Sequence, residues 1–265
     1  MNEDGGGPPP GALQGPKLRF AIDVGAPKFA APLPDDETVI MYETSRFEGK
    51  PELSMKKTTD EMVELYVEWL GGRHPVVAIE DPFATEDMTA FIKLKEKVDN
   101  ALQLALDAGA PEEDETGEVM EEGGKYSDDV CRLGAVGGDP KCFLQVMGEL
   151  VCNDANDIAK YDEMQGLNTL VLTLRKGKTV GGAIELVKKA QAQGWGVVVA
   201  AETEAGETDD NFIAHFAVGV RAGQYKGGGL EAMEHVSKYN EIARIASDLK
   251  KAPMWVGSSF RNLES

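Results

Sequence analysis

Cysteine is scarce, basic residues are outnumbered, and no apolar run is long enough to cross a bilayer. The three cysteines, Cys131, Cys142 and Cys152, are odd in number and lack CxxC spacing. That excludes a disulfide framework or a thiolate zinc site and fits reduced intracellular thiols. Lysine and arginine total 27 against 46 aspartates and glutamates, a formal net charge of −19. This balance argues against nucleic acid or anionic lipid as a partner, and leaves basic partners and divalent cations open. No stretch reaches membrane-spanning length, and the N-terminus carries no signal-peptide pattern. The expectation is a cytoplasmic protein, or one bound to a cytoplasmic structure, without membrane contact.

What is present is enough for a large α/β domain: 265 residues, 42% of them hydrophobic. Residues 1–17 are rich in glycine and proline and read as a flexible N-terminal arm. From residue 18 to 265, short apolar runs alternate with helical patterns. Strand candidates are Leu18–Gly25, Val76–Glu80, Cys142–Leu150, Thr169–Leu174, Trp195–Ala200 and a last one within Val218–Lys226. Residues 26–57, with four prolines, read mostly as loop or a short hairpin. Thr58 opens a helix with Glu61 completing a capping box, and Met62, Leu65, Tyr66 and Trp69 share a face up to a stop at Gly71-Gly72. Further helices are expected from about Thr85 to Asp107, from Asn153 or Asp154 towards Tyr161, from Val180 to Gly194 with Val180, Ala183, Ile184, Val187 and Ala190 inward, around Phe212–Phe216, and from Glu231 to Leu249. Trp255, Val256 and Phe260 read as a tail docked on the body. Such alternation implies βαβ units and a parallel sheet, here about six units where a closed barrel takes eight strands.

The stretch Val76–Phe83 organises the rest. A β-branched run ends in Glu80-Asp81-Pro82, the pattern of a buried parallel strand with acids at its C-terminal tip. Strand tips form the working face of a β/α barrel, which makes Glu80 a site candidate. The plainer alternative is that Glu80 and Asp81 only cap the following helix. Residues 109–142 hold a strongly acidic patch, Glu112 to Glu122, read either as a solvated loop or as an interaction segment for a basic partner.

AIDVGAPKF (21–29), HPVVAIEDPF (74–83), QGWGVVV (193–199), GETDDNFIAH (206–215), GVRAGQYKGG (219–228) and VGSSFRNL (256–263) together resemble the catalytic barrel of enolase. The resemblance implies an α/β fold, an incomplete enolase-type β/α (TIM-like) barrel of about six βα units, with 109–142 as an acidic insertion. It also implies a metal-assisted chemistry, the interconversion of 2-phosphoglycerate and phosphoenolpyruvate. There a lysine abstracts a weakly acidic proton while Mg²⁺ stabilises the charge.

By that resemblance Asp23 and Glu80 match two of the three metal-ligand carboxylates, and the third position is Gly148 or Glu149, depending on the alignment. Thr173 stands where the family has its base lysine, and a threonine hydroxyl cannot take that proton at neutral pH. Ala201 lies in Ala200–Ala205, where the family's Ser-His-Arg-Ser run supplies a histidine and a phosphate-binding arginine. Lys226 matches the second active-site lysine, with a buried lysine salt-bridged to Asp23 or Glu80 as the plainer alternative. Lys176 and Lys178 fall on a loop beyond the tip. The family's N-terminal domain and first two barrel strands have no match here.

These departures imply a non-catalytic enolase-like pseudoenzyme that serves as a structural or scaffold subunit. No cofactor is expected beyond Mg²⁺ at a residual site, and other protein subunits are expected to cover the open barrel edges. Divergent enolase-like paralogues of motile cilia and flagella extend the resemblance to an axonemal location. The alternatives are the phosphopyruvate hydratase half of a split enolase, a related Mg-dependent lyase, or a weak Mg²⁺ or Ca²⁺ binder using Asp23, Glu80 and the acidic loop.

Overall fold

A parallel sheet carries the molecule. The computed structural model describes residues 20–45, 55–70, 76–107, 144–201 and 206–249. The arm 1–17, the Gly71-Gly72 stop, the insertion 109–142 and the aromatic tail lie outside the described residues. Strands β1 (Phe20–Asp23), β5 (Val76–Glu80), β6 (Gln145–Gly148), β7 (Thr169–Leu172), β8 (Gly196–Ala200) and β9 (Gln224–Lys226) lie side by side in that order. Every neighbouring pair in this sheet is parallel. Helices follow the strands in turn: α1 (Thr59–Glu68), α2 (Met88–Asp107), α3 (Ala155–Glu163), α4 (Val180–Ala192), α5 (Phe212–Gly219) and α6 (Met233–Asp248). This is the expected incomplete barrel of six βα units. Among the described residues, no helix is long and apolar enough to cross a membrane.

Alternation along the strands makes two apolar layers. Ala78, Met147, Val171, Val198 and Ala200 form a small cluster on the concave face. Their neighbours Ile79, Val146, Leu170, Leu172, Val197 and Val199 belong to the larger core beneath the helices. Gly148 shows the direction of that outer side, since a Cβ there would lie 2.7 Å from Leu167 Cδ1.

Between β1 and α1 the chain forms a second, antiparallel sheet of β2 (Ala30–Leu33), β3 (Asp36–Glu43) and β4 (Lys56–Thr58), in that order. Of the two readings of this segment, mostly loop or a short hairpin, the hairpin is the one that forms, between β2 and β3, and β4 extends it to three strands. Pro32 sits on β2, which among the described residues pairs with β3 alone, and an edge strand tolerates proline. Tyr42 on β3 is fully buried, stacks edge-on to Phe83, and donates its hydroxyl to Asp87 at 2.9 Å. Asp87 also accepts from the Thr59 hydroxyl. These bonds occupy the segment before α2, which begins at Met88 and not at Thr85.

The capping box at Thr58 forms as expected, with Glu61 N–H donating to the Thr58 hydroxyl and Thr58 N–H donating to the Glu61 carboxylate. Thr58→Ala should destabilise the fold by about 1 kcal/mol, measured by urea denaturation. Asp154 caps α3 by accepting from Asn156 and Asp157 N–H. One inward assignment needs correction: Val180, the first residue of α4, is 50% exposed.

Candidate functional site

The C-terminal tips of the strands meet over the concave face. Register places Asp23 beside Glu80, Glu80 beside Met147, and Ala200 beside Lys226. Odd and even positions then decide which side chains face the bore. Ala78 faces inward, and so does Glu80, two residues on. Met147 faces inward, and so does Glu149. Gly148 faces the helices, where Leu167, Val151 and Cys152 surround its Cβ direction. Of the two alternatives for the third acid, Glu149 is therefore the one that points at the other carboxylates.

Lys226 ties this group together. Its Nζ lies 2.8 Å from Asp23 Oδ2, 2.9 Å from Glu80 Oε1 and 4.0 Å from Glu149 Oε2. The ion pair anticipated with Asp23 or Glu80 forms with both, on a lysine side chain that stays one-third exposed. The Glu80 side chain is 3% exposed, and burial lifts its carboxyl well above the usual carboxylate range, with Lys226 pulling part of that back. Burial opposes the charge on Lys226, but the Glu80 carboxylate and hydrogen bonds to Asp23 and Glu80 outweigh it and raise its pKa. Lys226 is a fixed ammonium, not a free base.

Thr173 follows β7 and is buried, and Ala201 is buried with its N–H donating to the Lys226 carbonyl. Lys176 lies in a 3-10 turn at Leu174–Gly177 and turns back to donate to the Cys152 carbonyl at 2.9 Å. Burial lowers its pKa, and Glu149 and Asp81 offset part of that. The loop position expected for Lys176 thus hides a half-buried amine near the tips.

Asp81 is the residue that sequence reasoning undervalued. It does not cap α2. Its carboxylate, 1% exposed, accepts N–H bonds from Glu149 at 2.9 Å, Leu150 at 2.7 Å and Val151 at 3.4 Å. It thereby fixes the turn that carries Glu149. The backbone at Asp81 has φ 44°, a left-handed conformation that aspartate tolerates better than most residues. Burial pushes its carboxyl up to about 6, against the lowering effect of those N–H donors. Asp81→Ala strands three donors, so it should cost about 3 kcal/mol. Amide exchange at Glu149, Leu150 and Val151 should accelerate while the central strands stay protected.

The Mg²⁺ implied by the resemblance can be tested against this geometry. Mg²⁺ demands near-octahedral oxygens at about 2.0–2.1 Å. Here an ammonium already lies between the carboxylates, which would set like charge against a divalent ion. Among the described residues, no group of three or more His, Cys, Asp or Glu is arranged to hold a metal ion. As arranged, the residues do not fit the ion.

Comparison with known proteins bears on the lineage of this site. Residues 11–110 and 138–264 match the family model described as enolase, C-terminal TIM barrel domain. The chain is 31% identical over 205 residues to an enolase of Eimeria tenella, covering 77% of this chain and 36% of that one. It is 27% identical over 245 residues to an enolase of Solanum lycopersicum, covering 92% of this chain and 44% of that one. The chain thus spans less than half the length of these relatives.

Proposed function

The chain belongs to the family of the enolase C-terminal TIM barrel domain, and on that premise we propose that it acts as a non-catalytic member, a structural subunit held by other protein chains. The observation that carries this reading is the state of Lys226. This amine, carried by the last residue of β9, is committed to Asp23 and Glu80. Thr173 stands at the tip where proton abstraction would need a base. Losing the base and the phosphate-binding run should each cost orders of magnitude in rate, and groups that act together do not leave a useful fraction behind.

The docking surfaces are the sheet's edges. Among the described residues, β1 pairs with β5 alone and β9 with β8 alone. Phe20 on β1 is 55% exposed. Unpaired edges invite strand pairing with another chain. The assembly we propose is a ciliary or flagellar axoneme, with contact through filament proteins other than the acidic outer face of tubulin. The purified chain with Mg²⁺ and 2-phosphoglycerate should yield no phosphoenolpyruvate above the uncatalysed rate, and turnover would sink this reading.

A second reading, the hydratase half of a split enolase, is favoured by the half-buried Lys176 amine, whose lowered pKa is the property a base needs. Turnover that appears only when a separately expressed enolase N-terminal domain is added would support it.

A further inference from the structure

We propose that the Lys226 ammonium is this chain's built-in cation: it replaces a divalent metal in holding the acidic strand tips together, and so clasps the two open edges of the sheet.

The argument begins with topology. β1 and β9 are the first and last strands of the sheet, with four strands between them. Yet Lys226 of β9 reaches Asp23 of β1 at 2.8 Å, across 203 residues of sequence. The curl of the sheet therefore brings its opposite edges within one side-chain pair of each other. The same amine holds Glu80 at 2.9 Å and faces Glu149 at 4.0 Å. Three carboxylates converge on the concave face of a chain whose net charge is −19. Without a cation among them they repel one another.

A metal and this ammonium compete for the same oxygens. Divalent coordination brings carboxylate oxygens to about 2.0–2.6 Å from the ion, and the hydrogen bonds of Lys226 occupy the space between them. The neighbouring amine, Lys176, does not take over, because it donates to the Cys152 carbonyl. The inference is independent of whether the edges dock another chain. It concerns what holds them where they are.

The test uses the full chain with Mg²⁺ or Ca²⁺ alone as the probe. Thermal melts of the wild type should not move with millimolar amounts of either ion, and calorimetric titration should show no binding heat. Near pH 9, where Glu80 is ionised, Lys226→Ala should melt about 6–10 °C lower, and Ca²⁺ should restore several of those degrees by occupying the vacated position. Adding Asp23→Asn to Lys226→Ala should abolish the restoration. Lys226→Arg keeps the charge, so it should melt close to the wild type and remain insensitive to both ions; it serves as the measure should the alanine variant fail to fold. A wild-type or Lys226→Arg melting point that rises with Mg²⁺ and loses that rise with Asp23→Asn would overturn the proposal, since metal and cationic side chain would then coexist. A lowered melting point in Lys226→Ala that neither ion restores would overturn it too. So would a Lys226→Ala melt equal to wild type.

Discussion

Lys226→Met should cost about 3 kcal/mol of stability near pH 9 and under about 1 kcal/mol near pH 5, as read from urea denaturation across that range. Breaking a buried ion pair from one side costs about 3–5 kcal/mol, because the remaining charge keeps its desolvation penalty. The lower end applies because solvent screens the one-third-exposed lysine. The pH dependence comes from Glu80. Its folded pKa lies above the unfolded carboxylate value of about 4.3. A carboxyl raised in this way favours the folded state when protonated, and that stability drains away as pH rises from the unfolded pKa through the folded one. Lys226 works in the opposite direction. Its own pKa is raised, so its contribution is present below the unfolded lysine value of about 10.4 and is lost above it. With methionine in its place, nothing limits the rise of Glu80, and the loss extends further into the alkaline range. At low pH Glu80 is neutral in both proteins and the difference shrinks to the weaker pair with half-exposed Asp23. A penalty of equal size at both ends of the range would mean that Glu80 stays ionised throughout and that the pairing geometry is wrong.

How much of this could be seen in the chain beforehand depends on the distance over which each signal acts. The Thr58–Glu61 box spans three residues, and it forms as read. The run Val76–Glu80 carries its own burial signal, because a strand covered on both faces needs apolar residues throughout. The approach of Lys226 to Asp23 and Glu80 was legible only through the family resemblance, which says which strands become neighbours. Asp81 was the failure. Nothing near it marks its partners, which lie 68–70 residues further along, and a carboxylate just before a helix is ordinarily a cap. The three-stranded sheet within 30–58 was legible only as mostly loop or a short hairpin for a similar reason. Four prolines dominated the local pattern, while the buried contacts that make β3 a strand, to Phe83 and Asp87, lie more than forty residues away. Local chemistry is readable from local sequence. A hydrogen bond closed by topology is readable only once the topology is known.

That distinction bears on the attempt to rebuild the ligand set. Aligning on Leu150 puts Gly148 where the family has an aspartate, so Gly148→Asp looks like a repair. It should instead destabilise the fold by at least about 4 kcal/mol and create no cation site. A Cβ at this position meets Leu167 Cδ1 at 2.7 Å, Val151 Cγ2 at 3.0 Å and Cys152 Cβ at 3.2 Å. The bulk alone costs about 1–3 kcal/mol, the amount expected for Gly148→Ala. The carboxylate would enter a layer lined by Leu167, Val151 and Cys152, on the opposite face of β6 from Lys226. Glu149→Asp is the control, because it shortens an acid that already faces the bore, and it should change stability by less than about 1 kcal/mol. Urea denaturation of the three variants, with Mg²⁺ present and absent, separates the cases. A Gly148→Asp protein that stays stable and gains a Mg²⁺-dependent rise in melting point would show that the strand runs one residue out of the register described, with every inward side chain on β6 turned to the other face.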